Sequence, residues 1–362
     1  MKHEHILVIR FSAMGDVAMV VPVVASLARQ YPHVRITVLS RPFARPLFEE
    51  LAPNVSFMAA DVKQEYHGVR GLNTLYRRLT AKHFTAIADL HNVLRSEFLR
   101  LRFNLGRYHV AHIDKHRKGK RKLVKQNGKV MKQQPSAIQN YLDVFKRLGY
   151  PVTLSFRSIF PDRGDLSQLP LFQGNGNDAV APKKDGETWV GIAPFAAHVG
   201  KVYPIDRMEQ VIDLLIRRNP QIRIFFFGGG QKEFESFAQW EQKHPQCINA
   251  SKQLEGLRQE LILMSHLDVM LSMDSGNMHL ASLVDIPVVS IWGATHPFAG
   301  FMGYNQPIDR AIGADLPCRP CSIFGNKPCL HGDYACLHTI TPIQVVEKME
   351  SFINKTDAPL QP

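Results

Sequence analysis

The segment 5–39, HILVIRFSAMGDVAMVVPVVASLARQYPHVRITVL, decides the fold of the N-terminal half. The apolar run 5–10 predicts a buried strand, a turn follows, and apolar residues at helical spacing predict a helix over 16–30. Tyr31-Pro32 ends this helix, because proline cannot continue it, and 34–39 predicts the next strand. Strand, helix and strand in this order predict a parallel βαβ unit.

The same alternation recurs along the chain. Residues 85–90 predict another strand with a helix after it, and 161–187 read as a linker rich in Gly, Pro, Asp, Asn and Gln. Further strands are predicted over 189–193, 222–227, 268–273 and 287–292, with helices over 205–218, 234–243, 257–266, 278–283 and from 341. We therefore predict an α/β protein with two Rossmann-like parallel-sheet domains facing a central cleft. The expected divisions are a domain over 1–165, a linker over 166–187 and a domain over 188–362.

Composition narrows the class of protein. The chain has 362 residues, of which 45% are hydrophobic and 21% charged, so it is long enough for about two globular domains. No apolar run reaches about 18 residues, the length that a membrane-spanning helix needs. The start, MKHEH, has no signal-peptide pattern, and five cysteines do not make a disulfide framework. These features predict a cytoplasmic protein.

Positive charge is concentrated in one stretch, residues 115–132 (KHRKGKRKLVKQNGKVMK), which we call the basic segment. It contains nine Lys and Arg and no acid, out of a formal net charge of +12 for the whole chain. Such a stretch indicates nucleic acid, an anionic membrane or a phosphorylated substrate as partner, or else a solvated loop without one. A nucleic-acid-binding protein is thus the alternative from another class. Stacking on single strands, however, requires interleaved aromatic residues, which the basic segment lacks.

The loops after the strands are the places to look for chemistry, because ligands of parallel α/β sheets bind beyond the carboxyl ends of the strands. Loop 10–16 contains one glycine and matches neither GxGxxG nor GxxxxGK[ST], which disfavours an NAD enzyme and a P-loop NTPase. It does place the carboxylate of Asp16 at a helix start. That carboxylate either takes part in chemistry or only caps the helix.

Two later loops could bind phosphate groups. In the block 273–279, MDSGNMH, the backbone N–H groups of 275–277 suit a diphosphate, although a plain helix cap would use the same residues. The stretch 194–201, PFAAHVGK, ends in a lysine that could neutralise a phosphate or simply be a surface charge.

Taken together, RxSxxGDV (10–17), DSGxxH (274–279) and WGATHP (292–297) resemble glycosyltransferase family 9, the ADP-heptose:lipopolysaccharide heptosyltransferases, in the same order over most of the chain. The resemblance implies a GT-B fold. It also implies inverting, metal-independent transfer of a heptose from ADP-heptose to a lipopolysaccharide core acceptor. A family relative that uses another nucleotide sugar or acceptor is the alternative within the enzymes.

The resemblance further implies which residues act. The family's catalytic aspartate matches Asp16, as general base on the acceptor hydroxyl. The positions implied for the nucleotide-sugar donor are Lys201, Asp274, Ser275, Gly276, Asn277 and His279. The family's ribose-binding glutamate has no match in GGGQ (228–231), so this contact is missing or moved to Glu233, and the donor nucleotide stays open.

The acceptor side is matched more loosely. Residues 89–95, DLHNVLR, resemble the family's acceptor loop, while the lone His91 favours a structural role. The basic segment fits a phosphorylated, lipid-linked saccharide acceptor and predicts peripheral contact with the anionic inner face of the plasma membrane, with no nucleic-acid partner. The candidate acceptor-binding residues are Asn92, Arg95, Lys120, Arg121 and Lys122.

Four cysteines form a cluster in the sequence, Cys318, Cys321, Cys329 and Cys336. The alternatives are a structural zinc site or reduced thiols, and because the second pair lacks the CxxC spacing we expect thiols, with no metal and no cofactor. Four thiolates would leave no open position for catalytic zinc. Cys247 is expected in the core.

Overall fold

The computed structural model describes residues 4–173 and 180–353. The first sheet contains β1 (His5–Ile9), β2 (Arg35–Ser40), β3 (Val55–Ala59), β4 (Ala86–Asp89) and β5 (His109–His112). The second contains β6 (Thr188–Ala193), β7 (Ile222–Phe226), β8 (Cys247–Ile248), β9 (Val269–Met273), β10 (Val288–Ile291) and β11 (Ala311–Ile312). The strand orders are β3-β2-β1-β4-β5 and β11-β10-β9-β6-β7-β8, and every pairing is parallel.

Helices connect the strands. In the first half they are α1 (Met14–Ala18), α2 (Val20–Gln30), α3 (Gly68–Thr80), α4 (Leu94–Leu105), α5 (Arg117–Leu123) and α6 (Ala137–Arg147). In the second half they are α7 (Ile205–Arg218), α8 (Gln231–Lys243), α9 (Ala250–Gln253), α10 (Leu257–Met264), α11 (Gly276–Ser282), α12 (Ala335–His338) and α13 (Pro342–Ile353). No helix in the described ranges is both long and apolar enough to cross a bilayer.

The sequence correctly predicts the strands that are apolar and buried. Strands β1, β4, β6 and β9 are buried along almost their whole length, as expected for a parallel sheet with both faces covered. The two parallel α/β sheets confirm the predicted fold class. Cys247 is 3% exposed and lies in the core of the second sheet, also as predicted.

The first helix differs from the prediction of a single helix over 16–30. It begins at Met14 and is interrupted at Met19, where α1 gives way to α2. Pro22 explains the interruption, because it has no N–H group to donate to the carbonyl of Ala18 four residues earlier.

The chain divides into two units that are interleaved in sequence. The first unit contains residues 1–116 and 135–159, and the second contains 117–134 and 160–362. Most of the basic segment is thus grouped with the second unit, not with the predicted domain 1–165. Residues 174–179 of the predicted linker 166–187, together with 1–3 and 354–362, lie outside the described residues.

Each sheet has one point where the chain reverses its direction of strand addition. This point, which we call the switch point, lies between β1 and β4 in the first sheet and between β6 and β9 in the second. The loops that follow the two strands of such a pair leave the sheet side by side, which makes the place a natural binding crevice. Those loops contain most of the residues singled out in the sequence.

Candidate active site

At the switch point of the first sheet, the loop after β1 is held by a buried arginine. Arg10 is 6% exposed, and its guanidinium donates to the carbonyl of Ser12 (2.8 Å) and, across the switch point, to that of Leu90 (2.6 Å). Its remaining nitrogen forms an ion pair of 2.5 Å with Asp16. Burial disfavours the charged guanidinium, but the neighbouring Asp16 carboxylate outweighs this effect and raises the pKa of Arg10.

Asp16 is the third residue of α1, not its N-cap. Its carboxylate also accepts a hydrogen bond of 3.3 Å from the backbone N–H of Ala13, which precedes the helix. The side chain is 27% exposed, so solvent or a ligand can reach it. Capping and a chemical role, posed as alternatives by the sequence, are therefore compatible: one carboxylate can cap α1 and still present an oxygen to a substrate.

His91 supports the same loop from the β4 side. Its Nδ1 accepts from the backbone N–H of Phe11 at 3.5 Å, and its Nε2 lies 3.4 Å from the hydroxyl of Ser12. Burial, followed by the positive charges of Arg10 and Lys115, lowers the pKa of His91 to about 3. The imidazole is thus neutral at physiological pH and has the structural hydrogen bonds that the sequence interpretation favoured.

The candidate acceptor residues after β4 have different surroundings. Asn92, in a left-handed conformation (φ 50°), donates to the carbonyl of Ile113 and accepts from Arg100, each at 3.0 Å. Its amide group therefore shapes the loop. Arg95 is exposed and close enough to His91 to contribute to lowering the pKa of that histidine. Of the two, Arg95 is the residue available to an acceptor.

At the switch point of the second sheet, a lysine and an aspartate meet. Lys201 ends a short 3₁₀ turn after β6, Asp274 follows β9, and their Nζ and Oδ2 atoms are 2.9 Å apart with side chains 15% and 6% exposed. The aliphatic part of the Lys201 side chain packs against Gly325, where a side chain would collide with it. Glycine also accommodates the φ of 74° at this position. The ammonium group is thus held in one place.

The remaining residues of the DSGNMH motif lie next to this pair. Ser275 is the N-cap of α11 and its hydroxyl is 3.2 Å from that of Ser272, while Gly276 and Asn277 begin the helix. His279 is buried at 6% exposure on the same short helix. The structure therefore brings Lys201, Asp274 and the N–H groups of 275–277 to one edge of the second sheet.

Glu233 lies beyond the next strand, β7. Its Oε2 accepts a 2.7 Å hydrogen bond from the N–H of Gly229, so the carboxylate is held at the carboxyl end of this strand. Burial raises the pKa of Glu233, and the hydrogen bond from Gly229 opposes the shift. An acidic side chain is therefore present at this end of β7, although GGGQ contains none.

The basic segment is more ordered than a solvated loop. It forms α5, and Lys129 donates to the carbonyls of Pro317 and Pro320 at 2.9 and 3.1 Å. The ammonium of Lys120 lies 4.1 Å from the centre of the Phe301 ring, whereas Arg121 and Lys122 are exposed. Of the three candidate side chains here, Lys120 is engaged in packing and the other two face solvent.

The four clustered cysteines line one cavity of about 300 Å³ in the second unit, together with His331 and Asp333. We call it the cysteine cavity. All four are free thiols, and burial raises the pKa of Cys336 to about 11. No group of three or more His, Cys, Asp or Glu side chains in the described ranges is arranged to hold a metal ion.

Comparison with known proteins identifies the family. The model for glycosyltransferase family 9 (heptosyltransferase) matches residues 72–327, more than half of the chain. This protein belongs to glycosyltransferase family 9. The match spans the β4 loop, the basic segment, Lys201 and the DSGNMH motif. It confirms the resemblance inferred from the sequence and makes the protein a glycosyltransferase.

Relatives of this family 9 glycosyltransferase are heptosyltransferases. Lipopolysaccharide core heptosyltransferase OpsX of Haemophilus influenzae is 22% identical over 295 residues, which cover 80% of this chain and 79% of that protein. Lipooligosaccharide heptosyltransferase 2 of the same species is 24% identical over 378 residues, with coverages of 97% and 100%. The solved structure of E. coli heptosyltransferase WaaC with ADP superimposes with a TM-score of 0.66 at 18% identity, covering 96% of this chain and 99% of WaaC. WaaC has also been solved with ADP-2-deoxy-2-fluoro heptose, at a TM-score of 0.64. These likenesses confirm the GT-B fold.

Two residues that contact Asp16 were not assigned a role from the sequence. Arg10 stood in the first motif without a function, although a charged residue that ends a buried strand is itself a signal. Tyr141, on α6, donates its hydroxyl to the backbone carbonyl of Asp16 at 3.1 Å. No local pattern points to Tyr141, because the contact joins residues 125 positions apart.

Proposed function

We propose that this glycosyltransferase moves a heptose from ADP-heptose to a lipopolysaccharide core acceptor, with inversion and without a metal ion. The observation that carries the proposal is the Asp16 carboxylate, partly exposed and fixed by Arg10 at the switch point of the first sheet. The heptose, the ADP and the lipopolysaccharide core are taken from relatives, a lipopolysaccharide core heptosyltransferase and a heptosyltransferase solved with ADP and with an ADP-heptose analogue.

Asp16 would act as the general base. A sugar hydroxyl is a poor nucleophile at neutral pH, and a positioned base contributes roughly 10²–10⁴-fold to its attack. As the acceptor oxygen bonds to the anomeric carbon, its proton passes to a carboxylate oxygen of Asp16. The attack comes from the face opposite the leaving ADP, which inverts the configuration. The ion pair with Arg10 orients the carboxylate for this step.

The second group of residues would bind the donor. Lys201 offers positive charge to the diphosphate, and its charge is most valuable as the bond to the anomeric carbon breaks and negative charge grows on ADP. Asp274 orients Lys201 through their ion pair, and the amides of Ser275, Gly276 and Asn277, with His279 nearby, complete the donor site. These groups provide the charge stabilisation without a metal. We assign the ribose contact to Glu233, which is held at the end of β7.

The acceptor would be a phosphorylated, lipid-linked saccharide at the inner face of the plasma membrane, and the protein cytoplasmic. The exposed side chains of Arg95, Arg121 and Lys122 provide positive charge for its phosphate groups. Lys120 would support α5 through Phe301. Asn92 would contribute by shaping the loop after β4.

The first experiment tests donor and base together. Melting curves with ADP-, GDP- and UDP-linked sugars identify the donor as the one that raises the melting temperature, and NMR of the product tests inversion. Asp16→Asn should lower kcat by roughly two to four orders of magnitude with little effect on donor affinity. Asp143→Asn, which changes an exposed carboxylate of the same unit, is the matched control.

Two results would contradict the proposal. If Asp16→Asn keeps near-normal turnover and loses at most about 1 kcal/mol of stability, the carboxylate is only a cap. If a UDP- or GDP-sugar is the donor that stabilises the protein and is consumed, the protein is a family relative with another substrate.

A further inference from the structure

The outer face of α4, in the first unit, is apolar. Leu99 and Phe103 point into the core and are fully buried, as expected for one side of an amphipathic helix. The opposite side, however, carries large apolar residues as well. We call these three the leucine stripe: Leu94, Leu101 and Leu105, which are 84%, 58% and 73% exposed.

The spacing of these leucines places them together. Intervals of seven and four residues bring them onto one line along the helix, about 16 Å long at 1.5 Å per residue. Single exposed leucines are ordinary on protein surfaces, whereas several aligned on one helix face mark an interaction surface. Val69, at the start of the neighbouring α3, is also 68% exposed.

The helix that carries the stripe and its neighbour α3 are rich in arginine. Together α3 and α4 contain six arginines and a single acid, Glu97. Arg70 and Arg77 on α3 and Arg95 on α4, next to Leu94 in the chain, are exposed. Exposed leucines and exposed arginines on the same helix are complementary to a surface that is negative outside and apolar beneath, as an anionic lipid bilayer is.

We propose that the leucine stripe docks this protein on a bilayer with anionic headgroups. The leucines enter the boundary between headgroups and acyl chains, and the arginines contact the lipid phosphates. A second copy of the chain is a poorer occupant, because a two-fold contact through this face would bring the same arginines together. The leucines also protrude with most of their surface in water, as a surface that enters a lipid layer does.

The leucine stripe specifies which helix would face the membrane, and this proposal does not depend on the proposed function. Helix α4 starts just after the loop 89–93 at the first switch point, where Leu90 and His91 hold the Asp16 loop. Docking through α4 therefore brings this loop to the level of the lipid headgroups. The stripe belongs to the first unit, whereas α5 and the exposed basic residues on it belong to the second.

Binding of the full chain to vesicles tests the proposal. We expect binding to vesicles of 30% phosphatidylglycerol and 70% phosphatidylcholine, with a part that persists in 0.5 M salt, where surface charges are screened. Leu101→Gln with Leu105→Gln should weaken this binding roughly tenfold at both salt concentrations. The matched control, Ile308→Gln with Ile343→Gln, changes two residues of similar exposure, 50% and 49%, in the second unit and should bind normally.

Melting curves must show that the double variant folds. Should it not, Leu101→Ala with Leu105→Ala removes the same apolar surface while keeping a strong helix former. Unchanged vesicle binding by a folded stripe variant would overturn the proposal, as would binding that 0.5 M salt abolishes completely. A wild-type dimer that the substitutions dissociate would assign the stripe to a second copy of the chain instead. Because the assay contains no sugar, its outcome is independent of the donor and of the role of Asp16.

Discussion

Replacing Arg10 by lysine should disable the enzyme while keeping the positive charge. The guanidinium of Arg10 holds three groups at once, the carbonyls of Ser12 and Leu90 and the carboxylate of Asp16. A lysine ammonium has donors but not the planar fork that reaches all three. Each lost contact is a hydrogen bond of a charged donor, which contributes about 1.5–3 kcal/mol to folding stability. Water that enters the site can replace some of these hydrogen bonds and so reduces the loss. We expect a net loss of about 2–3 kcal/mol of folding stability.

In a melting experiment this loss corresponds to a decrease of about 5–10 °C, given the usual 2–4 °C per kcal/mol for units of this size. The effect on turnover should exceed the effect on stability. Displacement of a catalytic group by about 1 Å can lower the rate roughly a hundredfold, so kcat of Arg10→Lys should fall by about one to two orders of magnitude. Donor affinity, measured by titration of ADP, should change little, because Lys201 and Asp274 are untouched.

A double variant decides whether Arg10 acts through Asp16. If it does, Arg10→Lys has nothing left to disturb once Asp16 is asparagine, and the double variant should have the kcat of Asp16→Asn alone. If Arg10→Lys lowers kcat by the same factor in both backgrounds, the two residues act independently. That result would refute the view that Arg10 positions the base.

Three further predictions concern other parts of the molecule. Burial lowers the pKa of His91 to about 3, so below the usual value of 6.5 the unfolded state binds more protons, and the free energy of unfolding should fall by about 2 kcal/mol from pH 7 to pH 5. His91→Gln should flatten this part of a profile of melting temperature against pH, and an unchanged slope would contradict the role of His91. Arg121→Ala with Lys122→Ala should raise the acceptor KM and reduce its salt dependence while leaving the donor KM unchanged; a loss of nucleic-acid binding in a gel shift, with normal acceptor kinetics, would favour the nucleic-acid alternative. Elemental analysis of protein purified without added metal should find no stoichiometric zinc or iron, and the protein should stay active after chelation. One tightly bound metal ion per chain would contradict this prediction and assign the ion to the cysteine cavity.

Much of this site follows from the sequence because loops after parallel strands are brought together by topology. Once β1 and β4 are recognised as buried strands, the loops with Asp16 and Asn92 are expected at one edge, and the same reasoning joins Lys201 to Asp274. The contacts between these loops do not follow. The pairing register of β1 and β4 places the carbonyl of Leu90 beside the guanidinium of Arg10. That hydrogen bond orients the guanidinium for its ion pair with Asp16, and the sequence does not reveal it.

Short elements were the least predictable part of the fold. Strands β8 and β11 have two residues each, too few for any period to be visible. Strand β5 has the sequence HVAH with only its alanine buried, so it lacks the apolar run that reveals the equally short β4. The position of the basic segment was hidden for another reason. Its charge pattern indicates a solvated or anion-binding surface, whereas its location is set by Lys129, whose partners lie about 190 residues further along the chain.

Because the two units are interleaved in sequence, the C-terminal half of the chain does not contain the whole second unit, whereas the N-terminal half contains all of the first. The polypeptide passes from one unit to the other three times, near residues 116, 134 and 159. A fragment that starts at residue 160 would lack α5 and Lys129, leaving the carbonyls of Pro317 and Pro320 and the ring of Phe301 without their cations. Recombination at the apparent midpoint would therefore separate the second unit from a part of its own surface. A chimera of two relatives that exchanges the second unit has to move residues 117–134 together with residues 160–362.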